Sequence, residues 1–322
     1  MSGFSKAVAC SNIALAKYWG KADALRNLTA VPSLSLTLAA LRTTTSVRFD
    51  ASLNADELSL AGERASGRPL ARVVKLLDAV RAEAGIEERA HVESVNDFPT
   101  AAGLASSASG FAALALAASR AAGLESSLER VSALARAASA SAARSVYGGY
   151  VALGARAQFA ERVRSGTDFP LEMLIAVTVS GPKATASTDG MTHTQDTSPY
   201  YPAWVAAAPA VYAEVRRAVE TSDLDALGPA MEHSALLMHA SMFAARPALI
   251  YFAPATLRVM ERVRAFRASG GRAYFTMDAG PHVKVLVEPS AAGELERELA
   301  KLDGVSSVLR SGAGPDAHGV EP

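Results

Sequence analysis

Apolar and polar positions alternate along the first quarter of the chain, and the alternation predicts strands. "SLSLTLAAL" (33–41), "TTTSVRFD" (43–50) and "DELSLAG" (56–62) follow a period of two, with polar turns expected between them. The period then changes. In "PLARVVKLLDAVRAEA" (69–84), Val73, Leu76, Leu77 and Val80 fall on one helical stripe, and Pro69 suits a first helical turn. A strand over 90–95 leads into "NDFPTAAGLASSASG" (96–110). Small-residue helices are expected over 105–121 and 126–144. A strand over 149–159, a polar turn "ERVRSGTDFP" and an apolar strand over 172–180 follow.

The second half has a different rhythm. "SGPKATASTDGMTHTQDTSP" (180–199) is a long polar stretch, of the kind that carries function when it lies inside a compact domain. Helical patterns cover 199–221, 223–244 and 255–269, the last with Leu257, Met260 and Val263 on its inner side. A hairpin, "RAYFTMDAGPHVKVLVEP", a helix over 290–301 and a strand over 305–310 come next. The Gly/Pro-rich tail "SGAGPDAHGVEP" is expected to be disordered. This interleaving of strands and helices argues for an α+β fold and against a doubly wound sheet. At 322 residues the chain exceeds what one core usually holds, so two domains are expected, 1–185 and 186–322.

Composition removes several classes of function. Basic and acidic residues balance at 32 each, without the net positive footprint of a nucleic-acid binder. Aromatics are 6%, too sparse for a platform that stacks bases. One cysteine, Cys10, permits neither an intrachain disulfide nor a cysteine-rich zinc site. The start shows no signal-peptide pattern, and the apolar runs fall short of the roughly 20 residues that span a bilayer. A cytoplasmic protein is expected. The six histidines (91, 193, 233, 239, 282, 318) form no metal-ligand pair and read as structural.

The stretch 96–110 holds the clearest chemistry. A helix N-terminus carries unpaired N–H groups and partial positive charge, and Gly103 with its small neighbours would let an anion approach that backbone. Ser106 and Ser107 add hydroxyls. No Gly-Lys-Ser/Thr follows, so this is no Walker loop, and the Rossmann G-x-G spacing is missing. By itself the stretch reads equally as a tight turn that lets an Ala-rich helix pack on a sheet.

The full pattern "PTAAGLASSAS" resembles the phosphate loop of the GHMP kinases, the superfamily of galacto-, homoserine, mevalonate and phosphomevalonate kinases. Further segments narrow the resemblance. "NIALAKYWGKADALRNL" (12–28), "SASAARSVYGGYVAL" (139–153), "STDGMTHTQDTSPYYPAW" (187–204) and "YFTMDAGPHVKVL" (274–286) are similar, in order, to blocks of the mevalonate diphosphate decarboxylases. The resemblance implies a ribosomal-protein-like N-terminal domain and a ferredoxin-like C-terminal domain, both α+β. It implies ATP and Mg2+ as cofactors, and phosphorylation of the C3 hydroxyl of mevalonate 5-diphosphate. Loss of phosphate and CO2 then gives isopentenyl diphosphate. A homodimer is also implied, and neither a nucleic-acid nor a membrane partner.

Site residues follow by the same resemblance. Asp278, before a Gly-Pro turn, is a turn-capping residue on its own terms and the catalytic aspartate by resemblance. Lys17 and Arg144 are its catalytic companions, and Arg144 also suits a substrate carboxylate or phosphate. Tyr18, Lys21, Ser139, Ser141, Ser187 and Met191 are implied to bind substrate, with Asn27 close by. Ser94, Gly103, Leu104, Ala105, Ser106 and Ser107 are implied to bind nucleotide, and Ser106 and Ser107 also magnesium.

The match has departures. Many relatives carry Ser-Ser-Arg-x-Gly-Met, whereas here Ala186 replaces the first serine and Thr188 the arginine. That arginine contacts the substrate diphosphate, a contact typically worth about 1.5–3 kcal/mol. "AVPSLSLTL" likewise departs, at Val31 and Pro32, from the commoner Asn-Ser-Ser version. Lys183 or His193 could compensate for Thr188. Alternatively, the substrate carries a single phosphate at C5, or the chain is a mevalonate 3-kinase. A catalytically silent sensor on the same fold is the alternative from another class.

Overall fold

The computed structural model describes residues 3–98, 106–178 and 185–321. Strands β1 (Phe4–Ala16), β2 (Lys21–Asp23), β3 (Leu28–Thr29), β4 (Ser33–Asp50), β5 (Glu57–Leu60) and β6 (Glu63–Arg64) come first. Helix α1 (Arg68–Ala84), strand β7 (Arg89–Asn96), helices α2 (Ser106–Ala121) and α3 (Leu128–Ala138), and a 3-10 segment, Ala140–Val146, follow. Strands β8 (Tyr150–Leu153), β9 (Glu161–Arg164) and β10 (Glu172–Thr178) lead to helices α4 (Ser187–Thr197), α5 (Tyr201–Glu220), α6 (Leu224–Phe243) and α7 (Pro254–Ala268). The chain then runs through β11 (Ala273–Met277), β12 (Val283–Val287), α8 (Pro289–Leu299), β13 (Val305–Ser311) and β14 (His318–Val320).

The class is α+β, as expected. One sheet has the order β14-β1-β4-β7-β5-β6, with β8 on β4 and β9 on β8. The other has the order β11-β12-β10-β13. Helices α1 and α2 cover one face of the first sheet, with α3 packed against both, and Leu76, Leu77 and Val80 share a core there with Val47, Phe49 and Val92. Helix α2 is buried on nearly every side, and its alanines let it approach the sheet closely. Ile13, Leu15, Leu34 and Leu36 belong to a second cluster with Met173 and Ile175 of β10 and Val215, Leu227 and Met231 of α5 and α6. Burying each such side chain contributes about 1.5–3 kcal/mol, so this shared core ties the two sheets together. Sheet membership does not follow a cut at 185/186, because β10 lies in the second sheet and β14 in the first.

Several sequence expectations are corrected. Residues 33–50 form one strand, without a turn near 42: β1 accompanies it from Leu34 to Arg48 and absorbs the bend at two register shifts. The helix expected over 126–144 breaks at Ser139, which is extended at φ −155°. The polar turn after 159 contains a strand, β9, and the polar stretch after 180 contains a helix, α4. Leu257 is half exposed, whereas Val259, Met260, Val263 and Phe266 form the inner side of α7. The tail is ordered. Gly149 N donates to the Gly314 carbonyl at 3.1 Å, Gly148 N donates to Asp316 at 2.7 Å, and β14 pairs with β1. A Cβ at Gly148 would lie 2.4 Å from the Gly314 oxygen, so only glycine lets the tail pass.

Candidate active site

Strand β1 runs through the shared core and delivers Lys17 at its end. The next residues are fixed by packing. Trp19 is buried, and its carbonyl accepts from Trp204 Nε1 at 2.9 Å. Gly20 has φ +102°, and a Cβ there would sit 1.9 Å from the Tyr201 hydroxyl. Lys17 N donates to Ser234 Oγ of α6 at 2.9 Å, which joins the loop to the second half of the chain.

Asp278 follows β11, at the mouth of the hairpin that β12 closes. Gly280 N donates to its carbonyl at 2.7 Å, and Thr256 Oγ1 of α7 donates to the Pro281 carbonyl at 2.7 Å. His282 is buried and accepts from Thr178 N at 3.1 Å. Two lysines meet the carboxylate. Lys17 Nζ lies 2.6 Å from Oδ1 and Lys284 Nζ 3.2 Å from Oδ2. The lysine side chains are 2% and 0% exposed, whereas Asp278 is 30% exposed. The carboxylate is thus held from beneath with one side open. Burial alone would raise its pKa, but the two ammonium groups hold it well below the usual carboxylate range. Burial brings Lys17 down to about 8, against the opposing pull of Asp278.

Arg144 lies at the end of the 3-10 segment, 1% exposed. Its guanidinium donates to Ser35 Oγ (3.0 Å), Ser33 Oγ (2.6 Å) and Asn12 Oδ1 (3.2 and 3.3 Å), all neutral acceptors. Asn12 Nδ2 donates in turn to Ser145 Oγ at 2.8 Å and to the Ser141 carbonyl at 3.0 Å. Arg144 Cζ is 5.6 Å from the Tyr18 ring centroid, and Tyr18 is hydrogen-bonded to Ser141. Ser139 and Ser141 hydroxyls are 3.3 Å apart. The break in the α3 region is what brings these serines to Tyr18. Among the described residues, Lys17, Lys284 and Arg144 face one carboxylate, Asp278, which leaves a surplus of positive charge in a buried place. Such a surplus calls for an anion.

A second, more open group of cations lies beyond Tyr18. Burial and the charges of Arg72, Arg68 and Lys75 lower the pKa of Lys21. Burial and the charge of Arg68 lower that of Arg72, which Tyr18 opposes. Arg72 rests 4.4 Å over the Phe111 ring and donates to the Ala138 carbonyl at 3.1 Å. Arg68 makes a bidentate pair with Asp189 of α4, at 3.0 and 3.1 Å.

The remaining expected residues divide. Ser187 is exposed on the first turn of α4, beside Thr188, whereas Met191 packs in an apolar cluster with Trp19, Tyr201 and Trp204. Asn27 is buried and donates to the Arg136 carbonyl at 3.2 Å, a structural contact. Ser94 makes a cross-strand bond to Thr45 Oγ1 at 2.9 Å. Gly103, Leu104, Ala105 and Lys183 lie outside the described residues. Ser106 and Ser107 open α2, and buried Ser109 anchors that turn through Ser11 (3.0 Å) and Thr43 (2.6 Å). No acidic residue stands in the first turn of α2 to repel a phosphate. Among the described residues no His/Cys/Asp/Glu cluster could hold a metal. The hydroxyls of Ser106 and Ser107, together with nucleotide phosphates, are oxygen donors of the kind a magnesium ion takes.

Sequence reasoning did not single out Asn12, Ser33, Ser35, Arg72 and Lys284, which the structure places beside the expected residues, and it read His239 as structural. The signal for Lys284 was present, since a lysine inside "VKVLV" is out of place in a strand that is buried throughout. His239 lies in mid-helix beside Phe252, with ring centroids 4.7 Å apart, and close to the Asp278 backbone. Burial and the Lys17 charge bring its pKa down to about 3.

Comparison with known proteins shows the family. The diphosphomevalonate decarboxylase-like N-terminal domain matches residues 9–187, and the mevalonate 5-diphosphate decarboxylase C-terminal domain matches residues 173–308. The chain belongs to the diphosphomevalonate decarboxylase family. The diphosphomevalonate decarboxylase of Ganoderma lucidum is 34% identical over 86% of this chain and 78% of its own. The phosphomevalonate decarboxylase of Haloferax volcanii is 30% identical over 94% of this chain and 93% of its own. A solved complex with MVAPP, AMPPCP and magnesium has a TM-score of 0.93 and 40% identity over the whole of both chains. Like those proteins, this family member is an ATP-dependent decarboxylase on a GHMP-kinase-like fold. Among the described residues no helix is long and apolar enough to cross a membrane.

Proposed function

We propose that this protein converts mevalonate 5-diphosphate to isopentenyl diphosphate, with ATP and Mg2+, by phosphorylating the C3 hydroxyl and then releasing CO2 and phosphate. The observation that carries the reading is the half-open Asp278 carboxylate set between buried Lys17 and Lys284, with Arg144 beside it hydrogen-bonded to the neutral Ser33, Ser35 and Asn12. Arg144 and Tyr18 would hold the substrate carboxylate. The C3 hydroxyl would donate to Asp278. A carboxylate held so far below its usual range is a weak base, so it orients the hydroxyl first. It takes the proton only as the new P–O bond forms, which suits a loose phosphoryl transition state. Ser106 and Ser107 would hold the magnesium ion with the nucleotide phosphates, and the metal would neutralise charge on the transferring phosphoryl group. In the second step the C1–C2 bonding pair becomes the C2–C3 double bond, the C3–O bond breaks, and phosphate leaves. Arg144, buried among neutral donors and acceptors, would fix the carboxylate until it departs as CO2.

A monophosphate substrate is the second reading, favoured by Thr188 and by the similarity to the Haloferax protein. The cluster of Lys21, Arg68, Arg72 and Lys75 supports the diphosphate instead, because it supplies the charge that Thr188 does not. The direct test offers mevalonate, its 5-phosphate and its 5-diphosphate, each with ATP and magnesium, while ADP and CO2 are followed together. Equal release of both products with the diphosphate preferred is the expected result. ADP without CO2 would mark a kinase, and preference for the monophosphate would give the second reading. A cytoplasmic location, supported by the buried free thiol of Cys10, belongs to the same proposal and is checked by cell fractionation. So does a homodimer, which the family resemblance supports and light scattering would check.

A further inference from the structure

Strand β12 carries one side chain that its surroundings do not explain. Val283, Val285, Leu286 and Val287 are all fully buried and apolar, and so is the Phe275–Val285 pairing across to β11. Lys284 sits among them with no exposure at all. Burying an ammonium there costs folding energy that a methionine would not, unless the charge serves a partner. Its contacts name that partner. Nζ lies 3.2 Å from Asp278 Oδ2 and donates to the His282 carbonyl at 3.3 Å. Lys284 therefore spans the turn 278–282 from one end to the other.

The two clamps on Asp278 differ in origin. Lys17 reaches Oδ1 from the end of β1, in the other sheet. Lys284 reaches Oδ2 from the same hairpin that carries Asp278, across the Thr276–Lys284 register pair. With one clamp, a carboxylate can still turn about its Cβ–Cγ bond. With a cation on each oxygen, its plane is set, while the side chain keeps 30% exposure.

We infer that Lys284 is a positioning residue, which fixes the plane of the Asp278 carboxylate from within the hairpin so that it meets the substrate hydroxyl in one orientation. This rests on the reading of Asp278 given above. The charged and titratable groups that face Asp278 are Lys17 from the end of β1, Tyr18 beside it, Arg144 from the 3-10 segment, His239 from α6 and Lys284 from β12.

The test uses Lys284→Met and the neutral, hydrogen-bonding variant Lys284→Gln. In Lys284→Met, kcat is expected to fall by about 10- to 100-fold, with both KM values within about threefold, since misplacement of a reacting group acts on the chemical step. The Asp278 carboxyl carbon, labelled with 13C and assigned through Asp278→Asn, is expected to titrate about one to three pH units higher than in the wild type. Lys284→Gln, which can still donate a hydrogen bond toward Asp278 Oδ2 but carries no charge, is expected to keep more of the wild-type kcat than Lys284→Met. If Lys284→Met does not fold, kcat and the Asp278 titration are read in Lys284→Gln, where a fall in kcat at near-constant KM with an upward titration shift supports the same role. An unchanged Asp278 titration or a loss confined to KM would overturn the inference. Failure of the functional reading looks different: Asp278→Asn would itself remain active.

Discussion

The inner and outer cations of this protein handle charge in opposite ways. Lys17, Lys284 and Arg144 are almost wholly buried, within reach of one carboxylate and a ring of neutral hydroxyl and amide groups. Lys21, Arg68, Arg72 and Lys75 crowd together nearer the surface, where Arg68 directs its charge to an exposed pair with Asp189. Buried charges interact strongly and escape screening by salt, whereas exposed ones lose most of their strength beyond a Debye length. The inner group is built for geometry, and the outer group for attraction. A reaction that first captures a polyanion and then moves one phosphoryl group needs both.

The largest effect that would test this division is expected at Asp278. Asp278→Asn keeps the shape and removes the charge, and should lower kcat by about a hundredfold to ten-thousandfold with little change in KM. Steady-state kinetics with ADP release as the readout decides it. A variant that loses mainly KM would move Asp278 into the capture group.

The pH profile comes next. Lys17 has a pKa of about 8 in the fold, so it loses its proton, and Asp278 one of its clamps, as pH rises past that point. On the free enzyme, kcat/KM should therefore fall on the alkaline side with a midpoint near 8, reaching about a hundredfold loss by pH 10. A bound anion favours the charged lysine, so the limb of kcat should lie at higher pH than that of kcat/KM. An acid limb from Asp278 is not expected near neutrality, because its carboxyl stays ionised far below it.

The outer group should show smaller, salt-sensitive effects. Arg72→Ala is expected to raise KM for the diphosphate substrate by about tenfold or more, the worth of one charge-assisted contact, and to leave kcat nearly unchanged. Arg68→Ala breaks an exposed pair worth about 0.2–1 kcal/mol and should change KM by no more than about fivefold. Repeating both at high salt sharpens the comparison: the differences from wild type should shrink there, while the Asp278→Asn defect should not.

Much of this was legible in the sequence, and the reasons are specific. Val73, Leu76, Leu77 and Val80 declared their helix because the 3.6-residue period survives any tertiary context. Asp278, Lys17, Arg144 and Tyr18 declared the site through motifs, and the structure brings these four together. Met191 and Asn27 lay within similar motifs yet serve packing and a backbone carbonyl. The strand 33–50 read as two because its polar second half looks like a new element, and only its partners β1, β7 and β8 show one continuous ladder. The tail looked disordered because glycine and proline carry no core, yet Gly148 leaves room for its backbone and Gly149 N donates to it.

The sequence by itself determined the α+β class, the helical and strand periods, and the residue types that phosphoryl transfer needs, because these depend on local pattern and composition. Tertiary structure decided which of those residues share a site. Lys17 and Asp278 are 261 positions apart and 2.6 Å apart. Lys284 acquires its meaning only when β12 is buried on both faces, so that its ammonium has Asp278 as its counter-charge. Long-range juxtaposition and desolvation are properties of the folded chain, and the chemistry of this centre follows from them.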